Sequence, residues 1–308
     1  MPSSSVRLRL GTRASPLARW QADWVAAQLR RQGSEIELVH VTTSGDRGPL
    51  PIGRGADRGL FTKEIQAELL AGHIDLAVHS LKDLPTDAVR GVCLAAVPER
   101  APVNDVLVSD CAGSLSELRG GARVGTGSLR RRAQLLNARC DLLMRDLRGN
   151  VETRLRKLHE GQYDAIVLAE AGLRRLGLAR EITQVLPLEL ALPAVGQGAL
   201  ALEVRTDDAT ARQAVLPLEH AATRAAVTAE RAMLAALQGG CLAPIAAWGR
   251  REQDTLVLTG RVLSADGARK IEATLAAAAA EAAVLGRRVA DALLAQGAAA
   301  LIEAARAG

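Results

Sequence analysis

One of the four cysteines, Cys241, lies in a turn whose composition points to a reactive thiol. Residues 238–245 read QGGCLAPI, so two glycines precede the thiol and Pro244 follows it. Glycine permits backbone conformations closed to other residues, and proline fixes φ. The turn therefore has a defined backbone conformation, and its sulfur can stay accessible. Cysteine also packs as a small buried apolar residue. Taken alone, the motif leaves both a chemical and a packing role open.

A lysine and a carboxylate follow a short apolar run that reads as a strand. Residues 75–85 read DLAVHSLKDLP, with Lys82 and Asp83 just after that run. Loops at the carboxyl ends of strands in an open α/β sheet are where ligands bind, so both side chains are placed for function. A lone aspartate in a turn can also be a local cap. Surrounding cationic charge would hold Asp83 ionised and able to pair with a positively charged nitrogen.

Three predicted helices begin with a capping side chain beside arginine. Residues 12–17 (TRASPL) offer Ser15 as a cap, residues 126–132 (TGSLRRR) follow a predicted strand, and residues 147–154 (LRGNVETR) offer Asn150 as a cap. The free N–H groups of a helix start attract anions, and a guanidinium forks onto carboxylates and phosphates. Ordinary caps followed by solvated basic turns are the alternative interpretation.

Bulk composition limits the class of protein. The chain has 308 residues, 48% of them hydrophobic, which is enough for two or three domains. A net charge of +5 suggests an anionic partner, but one Phe, one Tyr and three Trp leave few rings for stacking bases, so nucleic acid is disfavoured. The distant cysteines predict no metal site, and no Walker or dinucleotide glycine motif opens a βα unit.

Targeting and membrane signals are weak in this sequence. The first ten residues read MPSSSVRLRL, without the apolar run of a signal peptide, and 18 consecutive apolar residues occur nowhere. We therefore expect a cytoplasmic protein without a membrane partner.

Alternating strand and helix patterns predict α/β sheets. A Gly-x-x-Asp step before an apolar strand occurs at Gly72 to Asp75 and again at Gly161 to Asp164, an offset that fits two α/β units of similar plan. Residues 192–199 (LPAVGQGA) break the pattern and read as an inter-domain crossing. From about Leu218 the sequence pattern changes. It predicts an alanine-rich helix, strands near 256–262 and a long alanine-rich C-terminal helix. The run of alanines at 276–280 is taken as a helix signal.

Six motifs in order, spread over nearly the whole chain, resemble the porphobilinogen deaminase (hydroxymethylbilane synthase) family. They are residues 12–18, 79–85, 125–131, 147–150, 192–198 and 239–241. The resemblance implies two similar α/β domains of periplasmic-binding-protein type and a small C-terminal α/β domain that carries the cysteine. The implied domains are residues 1–98 with 199–217, residues 99–198, and residues 218–308.

The resemblance also implies an enzyme with a covalent cofactor. Cys241 would hold a dipyrromethane through a thioether, and the enzyme would join four porphobilinogen molecules head to tail, release ammonia each time and finally hydrolyse the tetrapyrrole from the cofactor. Asp83 would be the catalytic residue, because its carboxylate would stabilise the protonated aminomethyl group and the cations that follow. The family's small-molecule substrate, monomeric state and lack of a bound metal are carried over with it.

Binding roles follow from the same motifs. Two carboxylates per ring give about a dozen negative charges on the longest chain, so arginines are needed on both α/β domains. The resemblance assigns cofactor contacts to Lys82, Asp83, Thr126, Ser128, Arg130, Arg131 and Gly149, and substrate contacts to Arg13, Ser15, Arg148, Arg154, Arg175 and Gln197.

Three departures limit what can be carried over. Gly127 stands where relatives have a second serine, and Arg54 and Arg58 stand where relatives often have lysine, which changes reach and geometry. Residues 242–247 (LAPIAA) lack the usual polar residue after the cysteine and the glycine after the isoleucine, so the turn around the thioether is expected to differ.

Two other functions remain open on the residues alone. One is a binding module that holds an anionic ligand without catalysis. The other is a cysteine hydrolase in which Cys241 works with a distant histidine. The candidate histidines are His40, His73, His79, His159 and His220.

Overall fold

The computed structural model describes residues 6–42, 62–239 and 243–307, and these form two compact units. One unit comprises Met1–Arg100 and Ala199–Arg224, and the other comprises Ala101–Gly198 and Ala225–Gly308. The sequence predictions on Arg54, Arg58 and Cys241 lie outside the described residues. Within the described ranges, no helix is long and apolar enough to cross a membrane. The exact domain limits inferred from the sequence stay a prediction.

The chain alternates strands and helices through most of its length. The strands are β1 Arg7–Thr12, β2 Glu35–His40, β3 Leu76–Ser80, β4 Val92–Ala96, β5 Asp105–Val108, β6 Arg123–Gly125, β7 Leu143–Arg145, β8 Ala165–Ala169, β9 Gln184–Val185, β10 Leu200–Arg205, β11 Ile245–Glu252, β12 Thr255–Leu263 and β13 Lys270–Ala278. The helices are α1 Pro16–Arg31, α2 Lys63–Leu70, α3 Leu129–Ala138, α4 Val151–His159, α5 Glu170–Arg175, α6 Ala209–Val215, α7 Ala221–Ala236, α8 Ala282–Ala295 and α9 Ala298–Ala307.

Two five-stranded sheets share one plan. The first has the order β2-β1-β3-β10-β4, and the second has the order β7-β6-β8-β5-β9. In each, three parallel strands are followed by an antiparallel fourth, which is β10 in the first sheet and β5 in the second. The predicted pair of similar α/β domains is confirmed.

An arginine–aspartate pair at the start of corresponding strands repeats in both sheets. Arg9 Nε donates to Asp75 Oδ2 at 3.0 Å, and the same guanidinium reaches the Gly72 carbonyl. In the second sheet, Arg123 Nε donates to Asp164 Oδ2 at 3.1 Å and the guanidinium reaches the carbonyl of Gly161. The Gly-x-x-Asp step therefore forms the same contacts with an arginine in both sheets.

The C-terminal region is a three-stranded antiparallel sheet, β11-β12-β13, covered by α8 and α9. Here the helix prediction for residues 276–280 was wrong, because Ala276 to Ala278 pair with β12 along the edge of the sheet. The alternating exposure of β13 shows that sheet pairing overrides the helix propensity of alanine. The predicted single long C-terminal helix is two helices, since Gly297 adopts φ +93° between them.

Apolar cores lie on the sheets of each unit. In the first unit, α1 and α6 cover one face of the sheet, and Leu10, Leu29 and Leu202 lie in that core fully shielded from solvent. The opposite face packs against α2 through Ile65 and Leu69. These helices fix where the strands end, and the strand ends carry the polar side chains described next.

Candidate active site

Asp83 lies in a pocket of the first unit at the carboxyl end of β3. The strand ends at Ser80, and a 3₁₀ turn, Leu81–Asp83, leaves Lys82 and Asp83 exposed. The backbone N–H of Leu81 donates to the Ala199 carbonyl at 3.0 Å, which attaches the turn to β10. The sequence predicted a loop with Lys82 and Asp83 after this strand, but the strand continues two residues beyond Val78, so His79 and Ser80 belong to β3.

The start of α1 forms the facing wall of the same pocket. Ser15 caps the helix, as predicted, by accepting from the N–H of Ala18 at 3.3 Å, and Pro16 is at the helix start. The pocket is therefore built from β3 and α1, which are neighbours because α1 packs across β1 and β3. Its lining is Arg13, Ser15, Leu17, Ala18, Gln21, Thr62, Val78, His79, Ser80 and Asp83.

Two basic helix starts lie side by side in the second unit. Ser128 caps α3, and Asn150 caps α4 by accepting from the N–H of Thr153 at 2.8 Å. These helices follow the paired strands β6 and β7, and the N–H of Thr126 donates to the Arg145 carbonyl at 3.0 Å. Two of the three predicted anion sites are therefore adjacent.

Arg148 and Arg154 belong to the second of these helix starts. Arg148 is exposed and pairs with Asp146 at 3.0 Å, while Arg154 Nε donates to the Gly149 carbonyl at 2.8 Å. Gly149 has φ +115°, a conformation that side chains rarely adopt, so the turn before α4 requires glycine. This turn presents the α4 N-terminus and the exposed guanidinium of Arg148 to solvent.

Arg130 and Arg131 point inwards, to a carboxylate that the sequence reading did not single out. Asp105 is fully buried at the start of β5, and its Oδ2 accepts from Arg130 Nη1 at 2.7 Å. Its Oδ1 accepts from Arg131 Nε at 3.0 Å and from Gln197 Nε2 at 2.8 Å. Three of the predicted binding residues therefore converge on one carboxylate.

The electrostatics of this cluster leave an excess of positive charge. Burial would raise the pKa of Asp105, but the two guanidiniums outweigh it and hold that pKa well below its usual range. Burial lowers the pKa of Arg130. Its Nε is buried and has no hydrogen-bond partner among the described residues. One carboxylate thus faces two arginines, and an anion would balance the second charge.

Arg175 and Gln197 connect this region to the segment between the domains. Arg175 donates to the Gly198 carbonyl at 2.7 Å, and its burial lowers its pKa to about 10, so it stays charged at neutral pH. Glu230 of α7, also fully buried, accepts from the N–H groups of Gly196 at 2.7 Å and Gly249 at 2.8 Å. It links residues 192–198 to the C-terminal sheet, and only the tertiary structure reveals it.

The sequence contained a signal for Asp105. It opens an apolar strand, as Asp75 and Asp164 come just before theirs, and a carboxylate at the start of a buried strand needs a cation. Among the described residues, no group of three or more metal-ligating side chains is placed to hold a metal ion. Cys241 lies outside the described residues, so its role stays a prediction.

Comparison with known proteins identifies the family. The model described as "Porphobilinogen deaminase, dipyromethane cofactor binding domain" matches residues 8–213, and "Porphobilinogen deaminase, C-terminal domain" matches residues 224–295. A porphobilinogen deaminase of Trichlorobacter lovleyi is 49% identical over 96% of this chain and 96% of its own length. One of Pelotomaculum thermopropionicum is 48% identical over 97% of both chains.

Solved structures match more distantly. A putative methionine-binding lipoprotein from Bacillus subtilis is 14% identical with a TM-score of 0.44, covering 70% of this chain and 90% of its own. A periplasmic substrate-binding protein of an ABC transporter from Coxiella burnetii is 17% identical with a TM-score of 0.43, covering 68% and 91%. On the two family models and the near-full-length relatives, this chain belongs to the porphobilinogen deaminase family.

Proposed function

We propose that this chain deaminates four porphobilinogen molecules, joins them head to tail on a dipyrromethane primer, and releases hydroxymethylbilane by hydrolysis. The observation that carries the proposal is the pocket in which Asp83 lies with Arg13 and Ser15, in a member of this family. A carboxylate beside a guanidinium offers one partner for a cationic nitrogen and one for a substrate carboxylate. An enzyme fits these features better than the binding module considered above.

Asp83 would act on the reacting nitrogen and carbon. Its exposed carboxylate would pair with the protonated aminomethyl group, then stabilise the cation that forms as ammonia leaves. It would also accept the proton lost when the pyrrole regains aromaticity. Lys82 is exposed beside it and would bind a carboxylate.

Arginines would hold the acetate and propionate groups. Arg13 and Ser15 would serve this role in the first unit, and Arg148, Arg154, Arg175 and Gln197 in the second. Arg130 and Arg131, already paired with Asp105, would contribute mainly the excess positive charge of that cluster. A guanidinium oriented before the ligand arrives loses less conformational entropy on binding.

The described residues fit the dipyrromethane cofactor. Its carboxylates require several donors, and the α3 start, the α4 start and the partnerless Nε of Arg130 supply them. Cys241 would hold it covalently, and the non-covalent contacts would come from Lys82, Asp83, Thr126, Ser128, Arg130, Arg131 and Gly149. When bound, the cofactor supplies the pyrrole carbon on which the product chain is started.

Intact mass under denaturing conditions tests the cofactor. The purified protein should exceed its sequence mass by two pyrrole units, and Cys241→Ser should not. Unmodified mass in fully active protein would refute the thioether. Adding porphobilinogen should then give stepwise adducts.

The Asp83→Asn variant tests the catalytic assignment. We expect it to fold normally and to lose nearly all porphobilinogen consumption, because the amide cannot stabilise a cation as a carboxylate does. Asp83→Glu is the matched control and should retain part of the activity. Near-normal turnover in Asp83→Asn would contradict the proposal.

Monomeric state, cytoplasmic location and the absence of a nucleic-acid partner are proposed from the family resemblance and from the few aromatic side chains. Light scattering after gel filtration should give the mass of one chain. A stable dimer would contradict the first of these proposals.

A further inference from the structure

A buried polar cluster lies directly behind the pocket of Asp83. It consists of His79 on β3, Glu203 on β10 and Gln66 on α2, all shielded from solvent. The residues come from three separate elements, and neither Glu203 nor Gln66 lines the pocket. His79 does line it, so the cluster has one member in contact with the pocket and two behind it.

Strand register brings the cluster together. β10 runs antiparallel to β3, with Ala201 opposite His79 and Glu203 opposite Ala77. Side chains alternate along a strand, so His79 and Glu203 project from the same face as diagonal neighbours. That face is covered by α2, and Gln66 donates to both Glu203 oxygens, at 3.2 and 2.9 Å.

The imidazole of His79 is close to this carboxylate. Its Nε2 lies 3.1 Å from Glu203 Oε2, but off the line of a hydrogen bond, so Nε2 counts no hydrogen-bond partner among the described residues. The contact takes place where both side chains are at least nine-tenths buried. A low-dielectric setting strengthens such contacts.

Stability alone does not account for a carboxylate here. Burying a charge is costly unless it is paired, and well-packed apolar residues usually stabilise a core at least as well. The residues that flank Glu203 on the same face of the sheet, Ala201 of β10 and Ala77 of β3, are apolar and fully buried. A carboxylate in this row is therefore best explained by what it does to His79.

We propose that Glu203 is a positioning residue that acts through His79 on the pocket of Asp83. His79 precedes Asp83 by four residues, and the Leu81 N–H donates to Ala199, so side-chain and backbone contacts both attach the end of β3 to β10. Glu203 fixes the imidazole, and the imidazole fixes the pocket wall next to the catalytic loop. The inference rests on the proposed function of Asp83.

Three variants test it in the cofactor-loaded protein: Glu203→Gln, His79→Gln and the double variant. Each single change should lower kcat roughly tenfold with KM within about twofold, because a small displacement of the loop affects the reacting geometry more than binding. The double variant should be no slower than either single variant, since both break one link. Intact mass should show that the dipyrromethane is retained.

Asp75→Asn is the matched control. It makes the same carboxylate-to-amide change at the other end of β3, where Asp75 pairs with Arg9 and lines no part of this pocket. It should lower the melting temperature and leave kcat unchanged. If Glu203→Gln behaves in the same way, the residue is merely structural and the inference is wrong.

Other outcomes also decide the matter. Should Glu203→Gln fail to fold, His79→Gln alone is decisive, and a normal kcat in that variant overturns the inference. Multiplying effects in the double variant would overturn it too. Normal turnover in Asp83→Asn would instead refute the proposed function, so the two failures are distinguishable.

Discussion

The carboxylate of Asp105 accepts a hydrogen bond from Arg130 at 2.7 Å, and both side chains are almost fully shielded from solvent. Arg131 and Gln197 occupy its other oxygen. The pair ties the start of β5 to the first turn of α3, which carries the Ser128 cap. An internal ion pair thus supports the helix start for which we propose anion binding.

Replacing Asp105 should destabilise the second unit strongly. Asp105→Asn leaves two buried guanidiniums without a counter-charge, which costs about 3–5 kcal/mol when a buried pair is broken. Urea unfolding would measure it. Asp141→Asn, which breaks the exposed pair with Arg139, should change stability little. Equal effects of the two changes would contradict the account.

Arg148 and Arg130 should behave differently when changed to leucine. Arg148→Leu removes an exposed guanidinium, so the protein should fold normally and stall in elongation or fail to assemble the cofactor. Arg130→Leu should do the same and also lower the melting temperature, because it leaves Asp105 short of a partner. Intact mass and thermal unfolding separate these effects. Normal tetrapyrrole accumulation in both variants would count against the assignment.

Gly127→Ser should disturb the contact between the two helix starts. A Cβ at Gly127 would lie 2.9 Å from the Leu147 carbonyl oxygen, closer than side-chain carbons come to backbone, so residues 147–149 would have to shift. We expect a lower melting temperature and a higher KM for porphobilinogen. Gly120→Ser is the control, since a Cβ at Gly120 would lie 3.5 Å from its nearest neighbour, Asp141 Oδ2. An unchanged KM would show that the loop adapts freely.

Acid should weaken both repeated arginine–aspartate pairs. Burial would raise the pKa of Asp75, but hydrogen bonds from Arg9 and Arg205 lower it to about 2, and bonds from Arg123 lower that of Asp164 to about 2. Because these values lie below the ordinary 3.8, the stabilisation is present above that pH and is lost as pH falls towards 2. The double variant Asp75→Asn with Asp164→Asn should flatten the fall in melting temperature over this range. An unaltered slope would refute the prediction.

His159 should give the opposite pH dependence. Its hydrogen bond to Asp110, with Glu181 nearby, raises the pKa of the imidazole above its ordinary 6.5. The stabilisation is therefore complete below about pH 6 and is lost as pH rises through the raised value. The melting temperature of His159→Gln should fall below wild type near the lower pH and match it near about pH 9. Asp110→Asn should weaken the same dependence and leave only the part that comes from Glu181, and a gap independent of pH would contradict the prediction.

Local signals in the sequence predicted most elements. The strand predicted before residues 126–132 and the helix predicted to begin within them are confirmed as β6, Arg123–Gly125, and α3, Leu129–Ala138, because local capping and apolar patterns mark both. The helix prediction for the alanines at 276–280 was wrong. The helix propensity of alanine is worth only a fraction of a kcal/mol per residue, and pairing with the neighbouring strand outweighs it. Local preference determines an element only where packing does not oppose it.

The sequence by itself determined the family, the α/β plan and the polar loops after β3, β6 and β7, because motifs and periodicity are local properties of the chain. Only the tertiary structure decided that Arg130 and Arg131 face Asp105, and that Glu203 lies behind His79. Those contacts join residues that are distant in the chain, 25 positions apart for Arg130 and Asp105, and the contact between Glu203 and His79 depends on strand register. The alternation of Leu200, Leu202 and Val204 in the core specifies which face of β10 carries Glu203, but only the pairing of β10 with β3 makes His79 its neighbour.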